Sequence, residues 1–198
     1  MNLSKIRLRL ILLIFIFSGF VFFLIFILKN TLENRLRIEN QKIVDLQGEI
    51  KVKPIRLKIP SLDVDSFIES VGLTKEGRVD SPKSPENAAW FNESPLPGEV
   101  GNSIIDGHSG WKNGIPAVFD NLYKLKIGDK IYVENENGEV VTFVVTHLKK
   151  YKSNENAPDV FISNDGMAHL NLITCTGFWN KILKSRSERL VVFTDKEI

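Results

Sequence analysis

Cysteine, net charge and repeated or low-complexity segments are scarce or absent in this sequence, and each scarcity excludes a class of protein. It contains one cysteine, Cys175, in 198 residues, so an internal disulfide cannot form. Its formal net charge is only +2, which is too small to indicate nucleic-acid binding. It also has no internal repeat and no low-complexity tract. A single thiol outside any disulfide is either buried and inert or kept for chemistry.

Charged residues are also absent from one long segment near the N-terminus. Residues 10–28 are apolar and are interrupted only by Ser18 and Gly19. As a helix these 19 residues would rise about 28 Å, close to the hydrocarbon thickness of a bilayer. The apolar segment is too long for a signal peptide, and residues 29–34 offer no small-residue cleavage site. We therefore predict an uncleaved transmembrane anchor in contact with membrane lipid.

The anchor divides the chain into four predicted parts. These are an N-terminal segment (1–9), the transmembrane anchor (10–28), a stalk or linker (29–51) and a C-terminal domain (52–198). The stalk is polar, with apolar residues at loosely helical spacing, so a partly helical stalk and a disordered linker both remain open. Basic residues flank the anchor on both sides, so the count of lysines and arginines does not decide its orientation.

From residue 53 onward, short β-like runs alternate with turn residues. The predicted strands are 55–59, 64–70, 102–107, 130–135, 139–147, 169–174 and 189–194, and 136–138 (Glu-Asn-Gly) predicts a hairpin. Long helical patterns are absent here, and 117–122 predicts one short turn. Seven or eight short strands predict a mainly β fold, a closed or nearly closed barrel. Two long loops are expected, at 149–167 and 176–188.

Three residues of catalytic type lie at the edges of predicted strands. Cys175 ends the apolar run 170–174, His108 follows the run 102–107, and Arg189 opens the run 190–193. A cysteine nucleophile needs a group that exchanges protons and a donor for the developing oxyanion. Histidine and arginine supply these functions. By alternation, Asn171, Ile173 and Cys175 share one face of their strand.

The same segments resemble a known family. Residues 98–108 (GEVGNSIIDGH), 170–175 (LNLITC) and 189–192 (RLVV) resemble the three signature regions of the sortases, which are membrane-anchored cysteine transpeptidases of mainly Gram-positive bacteria. The resemblance covers roughly 52–198 and includes 59–64 and 128–133. It implies an eight-stranded barrel, a single-pass protein of the cell membrane with its N-terminus in the cytoplasm, and an extracellular catalytic domain.

The resemblance also implies a role for each residue. Cys175 would be the nucleophile, His108 the acid and base, and Arg189 the donor to the substrate carbonyl, preferred over Arg186. Thr174, Ile173 and Trp179 would contact substrate. The 149–167 loop would form a wall of the peptide groove. The apolar residues of the 176–188 loop (Phe178, Trp179 and Ile182) either line that groove or cover the end of the barrel.

Other candidate residues are assigned no role. His147 and His169 lie in or beside strand runs and match no family motif. The scattered acids that calcium would need (Glu93, Glu99, Glu155, Asp159 and Asp165) are interpreted as solvated surface, so no metal and no cofactor are predicted, although some sortases are activated by calcium.

The implied reaction is cleavage of a Leu-Pro-X-Thr-Gly (LPXTG)-like sorting signal between Thr and Gly. The partners would be secreted proteins that carry this signal and an amine of a peptidoglycan cross-bridge or precursor. No second membrane span is found at the C-terminus, which disfavours the pilus-assembling class C, and the 149–167 loop looks too short for the extra helix of class B. Class A or D–F is therefore favoured. The alternatives are a pilin-polymerising sortase that uses a lysine amine, and a catalytically silent β-domain that binds a surface partner. An L,D-transpeptidase is disfavoured because no His-Gly pair precedes Cys175.

Overall fold

A computed structural model describes residues 22–39, 52–181 and 185–198, and the chain divides into two compact units, Met1–Lys51 and Val52–Ile198. In the first unit, residues 22–39 form a helix, α1. Within the described ranges no helix has both the length and the apolar character needed to cross a membrane. Residues 10–21 of the predicted anchor and 40–51 of the predicted stalk lie outside these ranges, so the anchor and the domain bounds stay predictions.

The second unit is a closed barrel of eight strands. They are β1 Pro54–Ile59, β2 Val64–Val71, β3 Ala88–Phe91, β4 Gly101–Gly107, β5 Lys130–Asn135, β6 Val140–Lys152, β7 Ala168–Asn180 and β8 Ser185–Lys196. Around the barrel the order is β1-β2-β3-β4-β7-β8-β6-β5, and β5 pairs with β1 to close it. A four-residue helix, α2 Pro158–Phe161, lies between β6 and β7. The prediction of a mainly β, closed eight-stranded barrel is confirmed.

Three details differ from or refine the predicted strands. β3 was not predicted, because four residues are too few to show an alternating pattern. The hairpin of β5 and β6 forms as expected, and Gly138 supplies the positive φ of +80° that its turn requires. The predicted loop 176–188 is wrong, since β7 and β8 stay paired at Thr176–Glu188 and again at Trp179–Arg186. That hairpin has no apolar alternation because residues 177–179 are exposed and pack on no core.

Buried side chains form two clusters, one inside the barrel and one on its outer face. The inner cluster is the main core and includes Leu57, Ile59, Trp90, Ile105, Phe119, Leu122, Ile131, Phe143, Leu170, Leu172, Leu190 and Val192. The outer cluster is centred on Ile104, Tyr151, Val160 and Val191, with Ile173 packed against it. Alternate residues of β4, β7 and β8 therefore face opposite sides of the sheet. The outer face is the one that carries the candidate site.

Two asparagines fix α2 against the outer face of the barrel. The amide of Asn102 donates to the carbonyls of Asp159 (3.0 Å) and Val160 (3.1 Å), and the amide of Asn171 donates to the carbonyl of Val160 (2.7 Å). The Tyr151 hydroxyl donates to the Asp159 carboxylate at 2.6 Å. The segment after β6 is therefore held as a wall over β4 and β7.

The hydrogen-bond partners of His169 explain why its pKa is shifted. Its Nδ1 lies 2.8 Å from Asp195 Oδ1 and its Nε2 lies 3.0 Å from Asp165 Oδ2. Burial lowers the pKa of His169, but the hydrogen bonds to Asp165 and Asp195 outweigh it, so the pKa is raised. Hydrogen bonds from the Met167 backbone N–H, from His169 and from Ser163 lower the pKa of Asp165 to about 2. The ion pairs join the segment before β7 to the end of β8.

We expect His169 to make folding stability depend on pH. A histidine whose pKa is raised by folding stabilises the fold fully below its unfolded pKa of about 6.5, and this stability is lost as the pH rises through the folded pKa. His169→Gln should therefore lower the free energy of unfolding at about pH 5.5, and the difference should shrink at about pH 9. Denaturant unfolding at both pH values measures this.

The matched control is His147→Gln. His147 hydrogen-bonds Thr146 and stacks on Phe193, neither of which is a carboxylate. A loss for His169→Gln that is the same at both pH values, or as large for His147→Gln, would contradict the assignment.

Candidate active site

Three adjacent strands build the candidate site. β4 runs parallel to β7 with Gly107 opposite Thr174, and β8 runs antiparallel to β7 with Arg189 opposite Cys175. Continuing the β4–β7 register by one residue brings His108 level with Cys175. The three predicted catalytic residues thus lie in a row across the sheet, with the cysteine in the middle.

The row opens into one large cavity on the outer face of the barrel. The cavity has a volume of about 1090 Å³, and His108, Cys175 and Arg189 all line it. Its other walls come from the β2–β3 connection, the segment after β4, the segment from the end of β6 to α2, and the β7–β8 hairpin. They contribute Arg78, Asp80, Ser81, Trp111, Tyr151, Glu155, Val160, Phe161, Ile173, Trp179, Arg186 and Val191 among others.

His108 is fixed by contacts on both its ring and its backbone. Its Nε2 lies 2.8 Å from the Pro82 carbonyl, so in this contact Nε2 carries the proton and donates. The ring lies 4.6 Å from the Trp111 ring between centroids, and the His108 carbonyl accepts from the Phe119 N–H at 3.0 Å. Nδ1 is the ring atom left to accept a proton in this arrangement.

Gly107 is required by close packing directly before His108. A Cβ on this residue would overlap the ring of Phe119 and lie 2.7 Å from Val118 Cγ1. Phe119 is a buried residue of the main core, only 1% exposed, so it has no room to retreat. The absence of a side chain at Gly107 lets β4 end against the core with the imidazole in place.

Thr174 lies inside the barrel and not on the cavity wall. Its side chain is 2% exposed, and its hydroxyl donates to the Gly107 carbonyl at 2.6 Å. We therefore assign Thr174 as a positioning residue that ties β7 to β4, in place of the predicted substrate contact. Ile173 and Trp179 do line the cavity, and their contact with substrate stays a prediction. Phe178 is 72% exposed, and Ile182 lies outside the described residues.

Arg189 is held in place by the beginning of its own strand. Its Nη1 donates to the carbonyls of Glu188 (3.0 Å) and Arg186 (3.2 Å), and its Nη2 donates to Ser185 Oγ (3.1 Å). Arg186 instead donates to the Gly177 carbonyl at 3.0 Å, across the β7–β8 hairpin. Both guanidinium groups line the cavity, and Arg189 is the direct cross-strand neighbour of the cysteine.

Burial and the charges of the nearby arginines act in opposite directions on the pKa of the Cys175 thiol. Burial raises the pKa of Cys175 above its ordinary value; the Arg189 charge opposes this, the Asp106 charge adds to it, and the Arg186 charge opposes it. The neutral thiol is a weak nucleophile, so the site needs a base to activate it. His108, which directly follows the neighbouring strand β4, stays the predicted base.

Asp106 is a cavity residue to which sequence reasoning assigned no role. Burial raises its pKa to about 7, against the hydrogen bond from Ser81 and the charge of Arg189. The signal was available in the sequence, because Asp106 is a lone carboxyl in an apolar run two residues before His108. Alternation places both side chains on the same face of β4.

Within residues 22–39, 52–181 and 185–198, no three His, Cys, Asp or Glu side chains form a group that could bind a metal ion. The expectation of no metal and no cofactor stays a prediction.

This geometry is that of an enzyme with a cysteine nucleophile, an adjacent imidazole and an adjacent guanidinium at the edge of a β-barrel. The Sortase domain family model matches residues 57–197, and the chain belongs to the sortase family. It is therefore a cysteine transpeptidase, and the alternative of a catalytically silent binding domain does not hold. A comparison of the sequence with curated proteins finds no match.

Solved sortase structures match the fold. Sortase C-1 from Actinomyces oris is 28% identical, with 76% of this chain and 78% of that chain covered and a TM-score of 0.59. A lid mutant of sortase A from Corynebacterium diphtheriae is 25% identical, with 76% and 74% covered and a TM-score of 0.58. Sortase C2 of Group B Streptococcus Pilus Island 1 is 25% identical, with 73% of each chain covered and a TM-score of 0.56. Because both C-type and A-type enzymes match, the class stays a prediction.

We expect the thiol to respond to the two arginines unequally. Arg189→Met removes the larger of the two charges that lower the pKa of Cys175, so the apparent pKa should rise. Arg186→Met is the matched control and should raise it less. The pH dependence of alkylation by iodoacetamide measures this directly, because Cys175 is the only thiol. An equal shift in the two variants, or a lower pKa in Arg189→Met, would be inconsistent with this geometry.

We also expect a methyl group at Gly107 to be poorly tolerated. Gly107→Ala should cost about 1–3 kcal/mol of stability through overpacking against Phe119, and it should reduce activity by displacing His108. Gly72→Ala is the control, since a Cβ there would meet only Asn92 Oδ1 at an ordinary 3.8 Å. Thermal unfolding and turnover of both variants test this, and normal stability in Gly107→Ala would refute the packing argument.

Proposed function

We propose that this sortase cleaves an LPXTG-like sorting signal between Thr and Gly and transfers the new carboxyl end to an amine. The observation that carries the proposal is the row of His108, Cys175 and Arg189 along one edge of a large cavity. The thiol lies between a proton carrier and a permanent cation, which is the arrangement that acyl transfer through sulfur requires.

The cavity suits an extended peptide with an apolar part. Its volume of about 1090 Å³ is at the upper end of common ligand pockets, which run to about 1000 Å³. Val160, Phe161, Ile173 and Val191 provide an apolar wall on the side of α2, where the Leu-Pro part of a sorting signal would pack. The polar Thr-Gly end would then lie towards Cys175.

In the acylation step, His108 takes the thiol proton and the Cys175 sulfur attacks the threonine carbonyl carbon. Arg189 donates to the oxygen that becomes negative, which stabilises the transition state. The C–N bond to glycine breaks, and His108 gives the proton to the departing amine. The product is a thioacyl-enzyme.

In the second step, an amine attacks the thioacyl carbon, His108 takes a proton from the attacking nitrogen, and the C–S bond breaks so that the Cys175 sulfur leaves. The amine would come from a peptidoglycan cross-bridge or precursor, and the acyl groups from exported proteins that carry the sorting signal. The predicted anchor at 10–28 would place the catalytic domain at the outer surface of the cell membrane, next to both substrates. No metal is needed for either step.

A second candidate acceptor is the lysine amine of a pilin subunit. It is favoured by the structural matches, which include sortase C2 of a streptococcal pilus island at 25% identity. The acylation step is the same for both acceptors. Adding lysine-bearing pilin peptides and peptidoglycan amines in direct competition would distinguish them.

The test uses the full-length chain with a library of LPXTG-like peptides, with and without a glycine amine. We expect cleavage at Thr–Gly, diverted to a ligated product by the amine, and no product from Cys175→Ala. His108→Ala should slow acylation by about 100-fold to 10,000-fold. His147→Ala, a histidine outside the cavity, should be unaffected. Cleavage that survives in Cys175→Ala, or no thioacyl adduct with any peptide, would refute the proposal.

A further inference from the structure

The charges around Cys175 differ between its two sides. On the β8 side lie two guanidinium groups, Arg189 and Arg186, and both lower the pKa of the thiol. On the β4 side lies the carboxyl of Asp106, which raises it. The cysteine therefore has a cationic side and an anionic side within one cavity.

Asp106 lies close enough to Cys175 for its charge to raise the pKa of the thiol. In the parallel β4–β7 pair, Asp106 is opposite Ile173, two residues before Cys175 on the same face of β7. His108 follows two residues later on the same face of β4. Asp106 is therefore on the cavity side of the sheet, beside both the thiol and the imidazole.

Among the residues that the structure describes, Asp106 has a hydrogen-bond partner but forms no salt bridge. Ser81 donates to it, and Asp80 adds a second negative charge nearby. In the part of the chain that the structure describes, the lysines and arginines that form salt bridges pair with other carboxylates, and Arg189 acts on Asp106 only through its charge. An ionised carboxylate in a partly closed cavity is costly without a cation, so a cationic ligand would be favoured there.

We propose that Asp106 binds the acceptor as an ammonium ion on the β4 side of Cys175 and takes its first proton. This inference rests on the proposed function and names the recognition of its second substrate. The oxyanion belongs on the arginine side, so the attacking nitrogen approaches from the side that Asp106 and His108 share.

The proton transfers balance over the step. The ammonium gives one proton to the Asp106 carboxylate and becomes a neutral amine. Its lone pair attacks the thioacyl carbon, so the C–N bond forms, the C–S bond breaks and the electron pair leaves on the Cys175 sulfur. The second nitrogen proton goes to His108. The site is left with a thiolate, an imidazolium and a neutral Asp106, which returns its proton to solvent.

The titration of Asp106 suits this role. Burial raises its pKa to about 7, against the Ser81 hydrogen bond and the Arg189 charge, and Asp80 raises it further. The charged and titratable groups that face it are thus Asp80, Arg189 and the Cys175 thiol, with His108 on its own strand end. Near neutral pH such a carboxyl can both accept and release a proton.

The test compares two acceptors for one thioacyl-enzyme. Glycinamide is present mainly as an ammonium ion at neutral pH, whereas hydroxylamine is uncharged and still attacks thioesters. The full-length chain is incubated with a cleavable sorting peptide and each acceptor, and the ratio of ligated to hydrolysed product is measured. This ratio does not depend on the rate of acylation, so partial loss of activity in a variant does not obscure it.

The variants are Asp106→Asn, Asp106→Glu and Glu93→Gln. We expect Asp106→Asn to lower the ratio for glycinamide by about tenfold to a hundredfold, the usual effect of losing a charged hydrogen bond, with little change for hydroxylamine. Asp106→Glu keeps the charge and should retain the preference for glycinamide. Glu93→Gln removes an exposed charge that does not line the cavity and should change neither ratio.

Each other outcome overturns the inference. Equal losses for both acceptors in Asp106→Asn would mean a structural role, and no loss for either would mean that Asp106 does not bind the amine. If the wild-type chain forms no thioacyl adduct, the proposed function falls and this inference falls with it. If the adduct forms and is ligated but Asp106→Asn does not discriminate between the acceptors, only this inference falls.

Discussion

The parallel pairing of β4 with β7 is the interaction on which the site depends. Because the two strands run in the same direction, their carboxyl ends meet at one edge, and the residues that follow them lie side by side. The hydrogen bond from the Thr174 hydroxyl to the Gly107 carbonyl ties the pair together at its last residue. A shift of one residue in the β4–β7 pairing register would point the side chains of Asp106 and His108 towards the barrel interior, away from the thiol.

The barrel wall separates an apolar inner face from the outer face that carries the site. Its inner face is filled with apolar side chains, and the ring of Phe119 fills the space that a side chain at Gly107 would take. Its outer face is covered by α2, which Asn102 and Asn171 fix through backbone carbonyls. Burial at the cavity raises the pKa of Cys175. Away from bulk water, the opposing charges on the two sides of the cysteine also act more strongly.

Much of this could be predicted from sequence, and the rest could not for identifiable reasons. Apolar alternation located seven strands, and three strand-edge motifs located Cys175, His108 and Arg189. β3 was too short for a pattern, and the β7–β8 hairpin lacked one because it packs on no core. Thr174 was predicted to contact substrate, although alternation places its side chain on the other face of β7 from that of Cys175. Asp106 stands out in the sequence as a lone carboxyl in an apolar run, but its place on the cavity side depends on the β4–β7 pairing, which is not visible along the chain.

The most direct measurement is to trap the covalent intermediate and map it. The full-length chain would be mixed with a sorting-signal peptide, quenched in acid and digested, and the modified residue identified by mass spectrometry. We expect an acyl group ending in threonine on Cys175. The wild-type chain should form it readily, and a variant without His108 should form it slowly. Turnover of the peptide with no adduct on Cys175, or with an adduct on another residue, would contradict it.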